Sequence, residues 1–224
     1  MRITFTRVKS AFKLQIMKDK LIVGIILASI REQRAGEKVA KWILQLATQQ
    51  PELDPKLVDL KKFPLPFYHY SDQPNEIENA YSGKIEKQWY ETINSTDGFI
   101  IVTPEYNWGY PSQLKNALDY LYKPWNKKPV AFVSYGGLAA GTRSVEQLRQ
   151  VVVALQMAPI RGSVHIPYIS EAFDKSGQPA NPGAIKQAGA MFTQLIWWTK
   201  ALKNARQELT NKKNLIYRNH AQYY

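Results

Sequence analysis

The sequence predicts a parallel α/β fold, one sheet covered by helices on both faces. Three observations lead there. Continuous apolar runs rich in β-branched residues, Leu21–Leu27 and Phe99–Val102 first among them, read as strands buried on both sides. Stretches with helical periodicity separate these runs, so strand and helix alternate along the chain. The loops that follow the runs carry polar, glycine and aromatic residues, at the strand ends where such sheets place ligands.

Taken in order, the first strand is LIVGIIL, Leu21–Leu27. The turn Ala28–Gly36, ASIREQRAG, leads to a helix from about Glu37 to Gln50, closed by Pro51, with Val39, Ala40, Ile43, Leu44 and Ala47 on one face. A short second strand, KLVDL, spans Lys56–Leu60. Residues 63–79 form a long loop with Pro64, Pro66, Pro74 and several aromatics (Phe63, Phe67, Tyr68, Tyr70). A loop of that length is expected as a plug on the core edge, a lid or a dimer contact. Gly83–Asn94 reads as a helix. Gly98–Leu121, GFIIVTPEYNWGYPSQLKNALDYL, is strand, loop and helix in one stretch. Its apolar run ends at Thr103-Pro104, its loop covers Glu105 to Tyr110, and its helix begins near Pro111-Ser112. PVAFVS, Pro129–Ser134, is the fourth strand, followed by Tyr135-Gly136-Gly137, Gly141 and a helix over Ser144–Met157. Ile160–Ile166 is the fifth strand. A polar loop with Gly177, Pro179, Pro182 and Gly183 precedes a last helix of about Ala184–Ala205. Five strands with right-handed crossovers predict the flavodoxin-like order 2-1-3-4-5, with a switch point between strands one and three. The expected organisation is one domain over 21–205, a basic N-terminal extension over 1–20 and a basic C-terminal tail over 206–224.

The net charge of +12 is concentrated at the ends. Residues 1–20 hold six basic residues and one acidic, and residues 200–224 the same, while the body between carries 18 basic against 16 acidic. A nearly neutral body argues against a nucleic-acid-binding core and leaves the ends as solvated or anion-seeking tails. No cysteine is present, which excludes disulfides, thiolate catalysis and cysteine-based zinc sites. No apolar run approaches the roughly 20 residues of a membrane span. The N-terminus lacks the apolar core and cleavage site of a signal peptide; it is basic and nearly acid-free, as organelle transit segments are, and Met17 offers a second start just ahead of the first strand. His69, His165 and His220 form no metal-ligand cluster with carboxylates, so no metal is expected.

Three loops concentrate the chemistry. Ser29, Arg31, Arg34 and Gly36 lie in the turn before a helix N-terminus, where free N–H groups, the helix dipole and two guanidinium groups suit a phosphate. The turn matches neither the Walker pattern nor Gly-x-Gly-x-x-Gly, which disfavours an NTPase or a dinucleotide there. The second loop holds Pro104, Glu105, Tyr106 and Asn107; the prolines stiffen it, and Asn107 offers a donor and an acceptor to a heterocycle. Trp108 and Tyr110 are candidates to wall a substrate site or to meet a second copy. The third loop, Ser134-Tyr135-Gly136-Gly137, lets backbone approach a ligand. A ligand with one phosphate and a flat heterocycle, such as FMN, fits the three together.

These residues also carry a resemblance. TPEYNWGYPSQLKNALDYL resembles, almost residue for residue, the flavin-ring loop of the NAD(P)H-dependent FMN reductase family, which includes quinone and azo-compound reductases. KKPVAFVSYGG resembles its third flavin loop and ASIREQRAGEKVAKWI its phosphate loop, with Ala28 where the family usually has Gly. The likeness spans roughly residues 20–200. It implies that Ser29, Arg31 and Arg34 hold the phosphate of FMN, that Pro104, Glu105, Tyr106 and Asn107 hold the ring, and that Tyr135, Gly136 and Gly137 lie at its far edge. It implies hydride transfer from NADPH or NADH to the flavin, then ping-pong delivery to a quinone, azo compound, flavin or similar acceptor, so that the cofactor rather than a side chain carries the chemistry. A homodimer or homotetramer is implied too, with Phe63, Tyr68, Tyr81, Trp89, Trp108, Trp197 and Trp198 as interface or core aromatics, and a cytoplasmic setting. The competing readings are a flavin-binding redox sensor or electron carrier with little turnover and, further off, a protein whose basic tails bind nucleic acid or a membrane surface.

Overall fold

The computed structural model describes residues 20–77, 81 and 83–221. The extension up to Asp19, residues 78–79 of the long loop and the last three residues of the C-terminal tail therefore lie outside the described residues. Five parallel strands form one sheet: β1 (Leu21–Leu27), β2 (Leu53–Asp59), β3 (Gly98–Pro104), β4 (Pro129–Tyr135) and β5 (Ala158–Ile166). Their order is β2-β1-β3-β4-β5, as expected. The helices are α1 (Gly36–Thr48), α2 (Lys84–Asn94), α3 (Ser112–Asp119), α4 (Thr142–Ala154) and α5 (Pro182–Ala221).

Alternation along the strands divides the core into two layers. Val23, Ile25, Leu27, Ile100, Val102, Ala131 and Val133 face α1 and α5. Ile26, Phe99, Ile101, Val130 and Phe132 face α2, α3 and α4. Because the three inner strands have helices on both sides, they carry almost no polar residue until their C-terminal ends.

Several boundaries differ from expectation. β2 begins at Leu53, not Lys56, and takes in Pro55 opposite Val23. A proline lacks the N–H that a ladder needs, but β2 is an edge strand with one side unpaired. β5, the other edge, likewise starts early at Ala158 and includes Pro159. α4 starts at Thr142, where Gly141 at φ +78° launches it, and ends at Ala154; the left-handed backbone at Gly141 favours glycine. The last helix continues past Ala205 to Ala221. No glycine or proline interrupts residues 206–221, and the charged residues there are mostly good helix formers.

The aromatic loop after β2 lies on the second layer. Phe63 meets Trp89 edge-on at 5.1 Å and Tyr68 meets Tyr120 at 5.3 Å. Asn116 of α3 holds this loop, accepting from the Tyr68 N–H at 3.1 Å and donating to the Pro66 carbonyl at 2.9 Å. The described part of the segment thus covers the second layer, with Phe67 turned well out at 82% exposure.

Candidate functional site

The loops after β1, β3 and β4 emerge at one edge of the sheet and are bonded to one another. Ser29 is buried, and its hydroxyl pairs with the Tyr106 hydroxyl at 2.7 Å, tying the first loop to the second. Arg31 lies over the same ring, its guanidinium carbon 5.5 Å from the centroid. Ala28 is buried in the second layer and donates its N–H to Val102, so its methyl group is accommodated.

The two arginines of the first loop part company. Arg34 is buried and donates to the Ser29 carbonyl, to Asp59 at 2.6 Å and to Glu37 at 3.2 Å. Burial works against its charge, but Asp59 and Glu37 more than offset that, and its pKa sits above the ordinary value. Arg31 is exposed and forms no ion pair among the described residues.

Gly36 opens α1, and the Tyr135 hydroxyl occupies the place a side chain would take there: a Cβ on Gly36 would overlap it. Tyr135 itself is buried in the first layer. Burial pushes its phenol well above the ordinary range, Tyr106 adds to this, and Arg34, Ser29 and Arg31 oppose it.

The second loop is a two-residue hairpin. Tyr106 and Gly109 exchange both backbone hydrogen bonds, at 2.8 and 3.0 Å, around Asn107 at φ +49° and Trp108 at φ +69°. Positive φ at both central positions marks a type I′ turn, which costs a bulky residue such as Trp more than Asn or Gly. α4 supplies the restraint: Gln147 donates to the Trp108 carbonyl at 3.0 Å, and the Arg143 guanidinium lies 4.6 Å from the centre of the Trp108 ring. Glu105 is drawn to the same helix. Its carboxylate pairs with the Arg143 guanidinium and accepts the Arg143 N–H at 3.2 Å, while Ser144 donates to the Pro104 carbonyl at 3.0 Å. Trp108 remains 70% exposed, whereas Tyr110 is half-buried against the second layer.

In the third loop Ser134 is buried, and its hydroxyl donates to the Ala140 carbonyl at 2.7 Å. That leaves it to accept from His165 Nδ1, also at 2.7 Å, so His165 Nε2 must accept from the Ser163 hydroxyl at 2.8 Å. Burial, with a smaller effect from Arg149, lowers the His165 pKa and keeps the ring neutral, as this chain of donors requires. Gly136 donates to Ile166, and the Gly137 carbonyl accepts from Ala140 and Tyr168. The direction a Gly137 side chain would take is open space.

At the edge itself, then, stand Arg31, Asn107, Trp108 and the backbone of Gly136 and Gly137, with the Ser29–Tyr106 pair behind them. Arg34, Ser134 and Tyr135 point inward, the Glu105 carboxylate is committed to α4, and Tyr110 leans on the core. Arg143, Gln147, His165 and Asp59 are contributors that sequence reasoning missed, since no local spacing joins residues 25 to 39 positions apart. Beside Ile30, a largely apolar groove of about 410 Å³ runs between Phe63–Phe67 and the start of α3 at Ser112 and Gln113.

The donor set fits FMN. An exposed arginine without a carboxylate partner among the described residues stands in the loop before a helix N-terminus, a phosphate position. Beside it a rigid hairpin and a glycine pair present backbone with open space in front, as a flat ring requires.

Sheet order and bonded edge loops place the chain among flavodoxin-like proteins. The model of the family described as NADPH-dependent FMN reductase matches residues 21–171, and the chain belongs to that family. It is accordingly an oxidoreductase with FMN as cofactor and NAD(P)H as reductant. It is 39% identical over 155 residues to the NAD(P)H-dependent FMN reductase LOT6 of Saccharomyces cerevisiae, covering 65% of this chain and 81% of that one. To the NAD(P)H-dependent FMN reductase C4B3.06c of Schizosaccharomyces pombe it is 34% identical over 188 residues, covering 81% and 94%. A quinone reductase of Escherichia coli K12 is 34% identical over 146 residues, covering 62% and 73%. Among solved structures, the flavoenzyme NAD(P)H:(acceptor) oxidoreductase FerB of Paracoccus denitrificans shares the fold at a TM-score of 0.66 and 20% identity, covering 81% of this chain and 98% of that one. Among the described residues no helix is long and apolar enough to cross a membrane, and no group of three or more metal-ligating side chains is found.

Proposed function

We propose that this protein takes hydride from NADPH or NADH and passes electrons to a small acceptor of the quinone, azo-compound or flavin type. When bound, FMN supplies both the hydride acceptance and the delivery to the second substrate, in alternating ping-pong half-reactions. The observation that carries the reading is the bonded edge: Ser29 to Tyr106, Glu105 to Arg143 and Ser134 to Ala140 lock three loops into one shelf. Arg31 and the N–H groups at the start of α1 hold the phosphate. Backbone of the 105–109 hairpin and of Gly136 and Gly137 faces the ring, with N–H donors toward the edge where negative charge develops. Arg34, Ser134 and Tyr135 act beneath, shaping the loops rather than touching the ligand. Trp108 stands over the entrance, where a planar acceptor or the nicotinamide can lie against it.

The quinone reductase among the relatives and the apolar groove beside Ile30 support an acceptor that is flat and weakly polar. The homodimer or homotetramer is part of the same reading, with Phe67, Trp197 and Trp198 as exposed aromatics for an interface. So is a cytoplasmic setting.

The test is kinetic. Purified protein loaded with FMN should bleach anaerobically with NAD(P)H, reoxidise with a benzoquinone, and give parallel lines in double-reciprocal plots. A protein that bleaches once and then stalls with every acceptor is a sensor or carrier, and the turnover reading fails.

A further inference from the structure

Ile30 separates Ser29 from Arg31 in the first edge loop, yet its side chain has no polar atom to offer a phosphate. It is left 37% exposed, and it lines the groove of about 410 Å³ that runs along the loop after β2. Leu60, Phe63 and Leu65 line the groove from that loop, and Gln113 and Ala117 from α3.

The polar groups of these walls are largely spent. Leu65 donates its N–H to the Phe63 carbonyl at 2.7 Å, and Pro64 and Pro66 have no N–H to give. Asn116 uses its amide on the Pro66 carbonyl and the Tyr68 N–H. Lys61 is the one charged residue among those lining the groove, and it is exposed. Phe63 is fixed by its edge-on contact with Trp89, so this wall is in place before any ligand arrives. A preformed apolar groove with few free donors suits a hydrocarbon chain and repels a sugar or a phosphate, whose hydrogen bonds to water it could not replace.

We propose that the groove seats an apolar tail on the electron acceptor, so that the preferred substrate is a quinone carrying an alkyl or alkenyl side chain. The inference rests on the proposed function for the ring and assigns the tail its own subsite. Groove and shelf share the first loop through Ile30, and α3 begins where the chain leaves the 105–109 hairpin. A bare ring on the shelf leaves the groove in contact with solvent, whereas a chain attached to that ring covers its exposed apolar surface. The tail is chemically unchanged. The ring gains two electrons and two protons, a hydride that originates in NAD(P)H and a proton from solvent, and leaves as the hydroquinone.

The test is a series of 2-alkyl-1,4-benzoquinones with tails of one to six carbons, reduced by the FMN-saturated full chain with NAD(P)H. Lengthening the tail hardly alters the reduction potential of the ring, so kcat/KM for the quinone reports how the tail binds. It should rise by up to about fourfold for each methylene that enters the groove and then level off. Q113W puts a bulky ring at an exposed position of the lining; it should flatten the series and leave FMN content and turnover of the methyl quinone unchanged. The redox-inert dimethyl ethers of the corresponding hydroquinones, titrated calorimetrically, should bind more tightly with length in the same way.

The proposal is overturned by a kcat/KM that does not depend on tail length, or by a dependence that survives intact in folded Q113W. A flat series together with a dimer that Q113W dissociates gives the groove to a second copy of the chain and overturns it equally. If the ethers show the length dependence while no quinone is turned over, the proposed function fails and the tail groove stands.

Discussion

Arg31 and Arg34 are one helical turn apart in sequence and face different environments. Arg31 is exposed with no ion pair among the described residues, and Arg34 is sealed against Asp59. R31A is therefore expected to raise the Kd for FMN about 10- to 100-fold, the loss of one charge-assisted hydrogen bond, with the melting temperature unchanged. R34A should do the reverse first. Removing one partner of a buried pair costs about 3–5 kcal/mol, so urea unfolding should show the loss even without FMN. If R34A keeps wild-type stability and loses only affinity, Arg34 reaches the phosphate itself. Gly36 gives a second contrast. G36A should destabilise by about 1–3 kcal/mol through overlap with the Tyr135 hydroxyl. Adding Y135F should recover part of that, which a double-mutant cycle by urea unfolding measures.

Among the elements, the 105–109 hairpin is the piece whose role depends most on a distant partner. Its strand and its helix are legible in the apolar run before Pro104 and the periodicity after Pro111. Its turn is not, because Asn107-Trp108 lacks the Asn-Gly signature of type I′ turns and its glycine falls one position late. What holds a tryptophan at positive φ is α4, through Arg143 and Gln147. R143A should free the hairpin, weaken FMN binding about tenfold by fluorescence titration and shift Trp108 emission, while far-ultraviolet dichroism stays the same. The edge strands teach a related lesson. Pro55 and Pro159 look like breakers to a local reading, and position at the sheet edge makes both tolerable.

At the scale of the whole molecule, buried titratable groups set how stability follows pH. Lys128 has a pKa of about 7 in the folded protein, against an ordinary 10.5. Between those values the unfolded chain binds the extra proton, so the penalty of burying this ammonium is present in full below pH 7 and is relieved as pH rises towards 10.5. Tyr120, raised to about 12 by burial, acts in the opposite sense, and Tyr81 and Tyr135 lie higher still. The folded state keeps those protons where the unfolded one releases them, so their stabilising share is lost as pH climbs past their ordinary value of 10. The melting temperature should therefore rise from pH 7 towards about 10 and fall beyond. K128M should flatten the rise and leave the fall. Equal slopes in both proteins would remove Lys128 from the account.

Sheet order, helices on both faces and three edge loops of unusual chemistry could be read from the chain alone, because apolar runs, periodicity and crossover handedness are local or near-local constraints. The family followed from residue patterns in those loops. Which side chains face a ligand could not be read this way. Ser134, Tyr135, Arg34 and the Glu105 carboxylate have the right chemistry in the right loops, yet the fold directs each to a partner elsewhere: His165 and Ala140, the space above Gly36, Asp59, and Arg143. Apart from Ala140, those partners lie far off in sequence and become neighbours only once the sheet is assembled. Burial then decides, since a polar group removed from water must take whatever partner the packing brings to it.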